Sequence, residues 1–290
     1  MANLKEIRSR ITSVSSTMQI TNAMKMVSAA KLKRAQDAIT AMRPYSQKLT
    51  ELLQQLSATM EGDMGGAYAE QRDVENVLIV AVTSNRGLAG AFNSNVIKQV
   101  RTLVETDFSG KQVDLVTLGK KGNDILKKEI NILENNNEIV DKVAFEDVSE
   151  FAEKLMELFS KGKYDKIMLV YTSFINAATQ EVLTEQFLPI VSTPEQVEAD
   201  ANADNEYLFE PSQKEVIESL IPKSLKNQLL KAIRDSVASE HGARMTAMHK
   251  ATDNATELRD DLTLQYNKAR QAAITNEILE IVGGAEALAN

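Results

Sequence analysis

The chain has 290 residues and a net charge of −8, from 33 Lys/Arg against 41 Asp/Glu, which argues against a dedicated nucleic-acid binder. It has no cysteine, so disulfides, thiolate metal sites and thiol switches are excluded, and two histidines are too few for most metal centres. Charge is uneven: residues 1–61 carry nine Lys/Arg against four Asp/Glu, residues 62–222 fifteen against twenty-eight, and residues 223–290 nine against nine, so different segments face different partners.

The N-terminus, MANLKEIRSR, is charged from the start and lacks the apolar run of a secretory leader. No stretch approaches eighteen consecutive apolar residues, so no bilayer insertion is expected, and membrane association would come through a partner. In residues 3–58 the apolar positions Leu4, Ile7, Ile11, Val14 and Met18 alternate spacings of three and four, a heptad seam. The seam is expected to loosen into Ile20, Met24 and Val27. Pro44 is expected to kink or break this helix, because it removes a backbone donor and crowds the preceding turn.

The middle of the chain reads as α/β. NVLIVAV (76–82) is a buried strand, and NSNVIKQVRTLVETDF is an amphipathic helix opening near an Asn or Ser cap. VDLVTLG (113–119) is a second strand, followed by the helix-like KKGNDILKKEI, the helix VSEFAEKLMELFS and the strand KIMLVYTSF (166–174). Strands alternating with helices imply a mainly parallel, Rossmann-like sheet, and EVLTEQFLPIV (181–191) adds an antiparallel edge. The run 192–205 is an acidic loop.

Residues 223–282 carry a second stripe: Met245, Met248, Thr252, Ala255, Leu262, Tyr266, Ala269 and Ala273, interrupted by Arg259. Of fourteen aromatics, only Tyr45 and Tyr266 lie in the two terminal segments, so those segments are not filled like ordinary cores. The arrangement that follows is a long antiparallel coiled coil of the N- and C-terminal helices with a central α/β domain between them. The division is 1–61 and 211–290 for the helices and 62–210 for the α/β domain. Two ordinary bundle helices remain an alternative.

The motifs are weak in enzymatic terms. SNRGLAGAFN (84–93) stands where a phosphate loop would, but it has only Gly87 and Gly90 and no GK[ST], so a tight turn or docking surface is the better reading. KMVSAAKLKRAQ carries Lys25, Lys31, Lys33 and Arg34. It reads as a solvated face, with a nucleic-acid patch or a basic collar against an acidic protein as alternatives. His241 and His249 lack nearby carboxylate support for a metal. No Ser/His/Asp set or paired-carboxylate cleft emerges, so no catalytic, metal or cofactor residue is assigned. A scaffold whose α/β domain binds a small effector stays open.

Together IRSRITSV…TMQITNAMKMVSAAKLKRAQ, TSNRGLAGAFN and ASEHGARMTAMHKATDNATELRDDLTLQYNKARQAAITNEILEIVGGAEAL resemble the γ subunits of bacterial F-type ATP synthases, from about Leu4 to Ala287. The resemblance implies a non-catalytic central shaft, peripheral on the cytoplasmic side of the cell membrane. The shaft couples c-ring rotation to ATP synthesis or hydrolysis and regulates ATPase activity and proton flow. Implied partners are a hexameric ring of α and β subunits, the ε subunit and the c-ring. The resemblance places Met24, Lys25, Arg34, Arg270, Gln271, Thr275 and Glu277 against the ring. It places Ser84, Asn85, Arg86, Asn93, Tyr207 and Phe209 against the c-ring and ε. The matching pair in relatives often has Glu after the Met, so Lys25 changes the local charge. Cysteine-based regulation, known from photosynthetic members, has no residues here.

Overall fold

The computed structural model describes residues 4–58, 68–177, 179–190 and 213–289. Helix α1 spans Leu4–Ala58 and helix α6 spans Gln213–Ala289. Between them lie β1 (Asn76–Val82), α2 (Phe92–Glu105), β2 (Gln112–Leu118), α3 (Lys120–Leu126), β3 (Asn131–Asn136), α4 (Glu138–Asp141), α5 (Phe145–Ser160), β4 (Lys166–Phe174) and β5 (Gln180–Leu188). The chain divides into two compact units, Met1–Ser28 with Met245–Asn290, and Ala29–Arg244.

The first unit is an antiparallel helix pair. Thr252 Oγ1 lies 2.9 Å from Thr21 Oγ1, while Thr256 and Arg259, further along α6, reach Met18 Sδ, earlier on α1. Ile7 on α1 and Met248, Ala255 and Leu262 on α6 are buried, and Leu4, Ile11, Val14, Met18, Tyr266 and Ala269 are half-buried. The seam therefore runs as the heptad spacing predicts, with Arg259 half-buried within it rather than breaking it.

Three positions need correction. Ile20 and Val27 are exposed, at 60% and 57%, because the spacing of three and four after Met18 falls on Thr21, Lys25 and Ser28 instead. Ser28 is buried at that position, its hydroxyl returned to Met24 O at 2.8 Å. Ala273 is exposed, so the seam ends near Ala269.

The second unit is a five-stranded sheet in the order β3-β2-β1-β4-β5, parallel except for β5. Successive residues of a strand point to opposite faces, and β1 is buried on both. Leu78, Val80 and Val82 meet α5 on one face, through Phe151, Leu155 and Phe159. Val77, Ile79 and Ala81 meet α2 on the other, through Val96, Ile97 and Val100. The α5-side core also takes Met42 from α1 and Ile221, Leu225, Leu229 and Ile233 from α6. Part of each terminal helix thus belongs to the sheet's own core, which the pairing of the two helices alone does not anticipate.

Within this unit the helices remain antiparallel to each other: Asn227 Nδ2 donates to Ser46 Oγ at 2.9 Å and Arg234 Nη1 to Ala38 O at 3.3 Å. Of the kink or break expected at Pro44, the break does not occur. Pro44 sits on the exposed face, as does Thr40, whose carbonyl loses its donor, so the missing bond faces solvent. Met42 and Leu49 on either side of Pro44 are buried, which keeps α1 seated across the proline. Helix α6 likewise starts at Gln213, ten residues before the stripe of 223–282 begins, and includes Pro222.

Strand β3 is not among the strands expected from the sequence. NILENN has one β-branched residue and three asparagines, and as an edge strand it alternates exposed with half-buried side chains. The expected Asn or Ser cap of α2 is also absent: Ala91 is the N-cap, and Asn93 is used elsewhere. The acidic loop 192–205 lies outside the described residues.

Candidate functional site

The loop 83–93 follows β1 at the point where strand order reverses between β1 and β4, the usual ligand crevice of such sheets. Here several backbone donors around the loop are already engaged. Ser84 N donates to Asn93 Oδ1 at 2.9 Å, Lys120 N to Asn85 Oδ1 at 3.0 Å and Gly122 N to Thr83 Oγ1 at 3.0 Å. Phe92 N and Asn95 N bond to Ala89 O and Ala91 O. Gly119 (φ +105°) brings β2 against β1 so closely that a Cβ would sit 2.2 Å from Thr83 O. The glycines make a tight junction, with these amides unavailable to a phosphate.

The same bonds define what the candidate contact residues do. Ser84 is fully buried; its hydroxyl donates to Arg86 O at 2.6 Å and accepts from Asn93 Nδ2 at 2.8 Å. Asn85 Nδ2 donates to Asn137 O at 2.7 Å. Ser84, Asn85 and Asn93 therefore build the loop, and the surface it offers is Arg86 and Leu88. Leu88 holds φ +62° with its side chain 65% exposed, an unfavourable backbone for a branched residue and a solvent-facing place for an apolar one.

Arg244 braces this loop, and its sequence neighbours gave no sign of it. Its guanidinium donates to Arg86 O at 3.0 Å, Gly87 O at 3.2 Å and Glu240 Oε1 at 2.6 Å. Arg244 and Glu240 are both buried. Burial pushes the Glu240 carboxyl above its ordinary range and the Arg244 charge opposes that shift. The spacing of four was legible as a helical pair, but the two carbonyls lie more than 150 residues away.

In the first unit, Met24 and Lys25 are half-buried, and Arg270, Gln271, Thr275 and Glu277 are all exposed. Thr275 Oγ1 returns to the main-chain Gln271 O at 2.9 Å, and the side chains of Arg270 and Gln271 are exposed. Beyond the seam, Ile274, Ile278, Leu279, Ile281 and Val282 are exposed, each about half or more. A run of large apolar side chains left in water on one helix marks a surface for another protein. Arg34, in the second unit, is exposed, and Lys33 pairs with Asp37 at 2.8 Å. Tyr207 and Phe209 lie outside the described residues.

His241 is half-buried with Nδ1 unpartnered. Burial, then the Arg244 and Lys31 charges, lower its pKa to about 4, so it is neutral near pH 7. His249 is exposed, 3.4 Å from Asp253. Among the described residues no group of three or more His, Asp or Glu is placed to hold a metal ion, and no helix is long and apolar enough to cross a membrane. An open cleft beside β3 and α5 carries Glu134, Glu138, Asp147, Glu150, Glu153 and Glu157, while its one lysine, Lys154, is bonded to Glu134. Such a cleft repels phosphates and other anionic effectors.

A family model described as ATP synthase matches residues 3–288. Relatives named ATP synthase gamma chain are 68% identical in Christiangramia forsetii, over 99% of both chains, and 68% identical in Flavobacterium johnsoniae, over 99% of both chains. One from Cytophaga hutchinsonii is 49% identical over the whole of both. In fold the chain is similar to a chain of the Euglena gracilis mitochondrial ATP synthase described as OSCP/F1/c-ring, at TM-score 0.70 and 24% identity, covering 98% of this chain and 94% of that one. It is also similar to a chain described as that enzyme's rotor, at TM-score 0.66 and 24% identity, covering 93% and 98%.

Proposed function

The chain belongs to the ATP synthase gamma-chain family, and on that premise we propose that it is the central rotary shaft of a proton-translocating F-type ATP synthase. It couples rotation of the membrane c-ring to ATP synthesis or hydrolysis at the β subunits, without catalysing either step itself. Its other partners are the α subunits and ε. It works peripherally on the cytoplasmic face of the membrane, and its angular position gates both ATPase activity and proton flow.

The observation that carries this reading is the end of the helix pair. After Ala269 the α6 side chains described are exposed through Ala285, and the large apolar ones among them have no cover among the described residues. A surface that meets three β subunits in turn needs grip without deep burial in any one of them. Arg270 offers a planar five-donor fork and Gln271 both a donor and an acceptor, suited to carboxylates and carbonyls that come and go. The small residues Ala269, Ala272 and Ala273 beside them leave little to unseat at each step.

The test is purification of the native complex with a tag on this chain. Co-elution with α and β at three copies each, and ATP-driven rotation of a bead fixed to the chain, are the expected results. A chain that elutes alone from intact membranes overturns the proposal. The foot contacts are a separate proposal: loop 84–93, with Leu88 at its tip, faces the c-ring and ε. A photocrosslinker at Leu88 in the assembled complex should capture one of these, and capture of β would reassign the loop to the ring.

A further inference from the structure

Within the 29–244 unit, one stripe of α6 crosses β4 and β5, carrying Gln228, Lys231, Asp235 and Ser239 at spacings of three, four and four. Both ends of this stripe are pinned. Gln228 Nε2 donates to Gln186 O at 3.2 Å and reaches Glu185 Oε2 at 3.5 Å, and Lys231 Nζ lies 3.9 Å from Glu185 Oε1. At the far end Ser239 Oγ donates to Thr172 O at 3.1 Å. Asp235 is therefore held between these contacts, above the β4–β5 seam, one turn beyond Lys231.

The groups around it are unevenly satisfied. Glu185 Oε1 accepts the buried Tyr171 hydroxyl at 2.6 Å. Asp235 accepts no hydrogen bond from any described residue. The charges facing it are Lys231 on its own helix, Arg43 on α1 and Glu185 on β5; Tyr171 on β4 stays neutral, because burial and then Glu185 hold its hydroxyl well above the usual range. A carboxylate that is partly dry, without an N–H donor and near a second carboxylate favours its protonated form.

We propose that Asp235 and Glu185 form a proton-operated clamp between α6 and β5. With a proton on Asp235, the carboxyl is neutral, the repulsion from Glu185 is relieved, and the helix is held against the sheet. Without it, two carboxylates share the seam, offset only in part by Lys231 and Arg43, and the grip loosens.

Burial raises the Asp235 carboxyl from 3.8 to about 6; Lys231 and Arg43 oppose this and Glu185 adds to it. The folded value lies above the unfolded one, so between these values the folded chain binds more protons and loses stability as pH rises through that window. Falling pH restores the grip. The clamp does not depend on the rotor reading, and the test uses the full chain alone.

Urea unfolding of wild type and Asp235→Asn from pH 8 to pH 5 reads it directly. Asn is a neutral mimic of the protonated form, so Asp235→Asn is the more stable at pH 8. The gap should shrink by about tenfold in folding constant by pH 5, given a shift of this size. A gap that stays constant across the range overturns the clamp. Glu185→Gln should move the remaining pH dependence of wild-type Asp235 to lower pH, and an unmoved midpoint removes Glu185 from it. If Asp235→Asn fails to fold, carbon NMR titration of the wild-type carboxyls decides: an Asp235 midpoint near 6 supports the clamp, and one in the ordinary aspartate range refutes it.

Discussion

Replacing Arg244 with Ala tests whether the loop after β1 is held from α6 or stands by itself. The arginine is 7% exposed and its partner Glu240 9%, so truncation leaves a carboxylate buried without its cation. Breaking a buried pair on one side costs about 3–5 kcal/mol. Arg86 O and Gly87 O lose their donor too, although both lie in a loop that can admit water. The chain should therefore lose at least about 3 kcal/mol in urea unfolding at pH 8.

The pH dependence separates a lost charge from lost packing. Burial already raises the Glu240 carboxyl, and Arg244 opposes that rise, so its removal pushes the carboxyl higher still. A folded carboxyl above its unfolded value destabilises at high pH and recovers as pH falls through the folded value. The Arg244→Ala deficit should thus shrink toward pH 5. The double change Arg244→Met with Glu240→Leu removes both charges and should regain much of the loss, and amide exchange at residues 86–90 should quicken in Arg244→Ala before exchange in β1 does. A cost below about 1 kcal/mol that does not vary with pH would refute the brace and leave Leu88's backbone held by the loop's own bonds.

Arg270→Ala with Gln271→Ala should leave thermal unfolding of the isolated chain unchanged, because both are exposed, yet reduce ATP synthesis by the assembled complex; a charge-assisted bond to a partner is worth about 1.5–3 kcal/mol. A large fall in melting temperature would place them in the seam instead. Leu262→Ala should cost about 2–4 kcal/mol, as a buried seam residue, whereas Ile20→Ala should stay within about 0.5 kcal/mol in the isolated chain; equal costs would contradict the seam as described. Calorimetric titration of the full chain with ATP should show no micromolar binding, since the junction of β1 with α2 and α3 uses its own amides; a micromolar site would overturn that account.

The parts of this molecule that the sequence makes legible are those set by local periodicity. β1, β2 and β4 announce themselves through runs such as NVLIVAV and KIMLVYTSF, because both faces of such strands are largely buried; the edge strand β5, mostly half-buried, is legible less sharply. β3 stays hidden, since an edge strand needs little apolar content, and NILENN has little. The Arg244 brace stays hidden because its partners are main-chain carbonyls, which no residue type marks.

The two helices separate periodicity from hydrophobicity. Ile20 and Val27 attract the eye as apolar, but the heptad phase set by Leu4 to Met18 continues to Thr21 and Ser28, and burial follows the phase. On α6 the phase running through Leu262, Tyr266 and Ala269 continues to Ala273, Asn276 and Glu280, which are small or polar and exposed, while Ile274 and Ile281 stand one position off it and Ile278 two. An apolar residue in phase has its partner within the chain. One out of phase, repeated at spacings of four and three, has its partner outside. Read this way, α6 leaves its own seam near Ala269, and the apolar side chains beyond it are the surface that the proposed shaft offers to the ring of subunits.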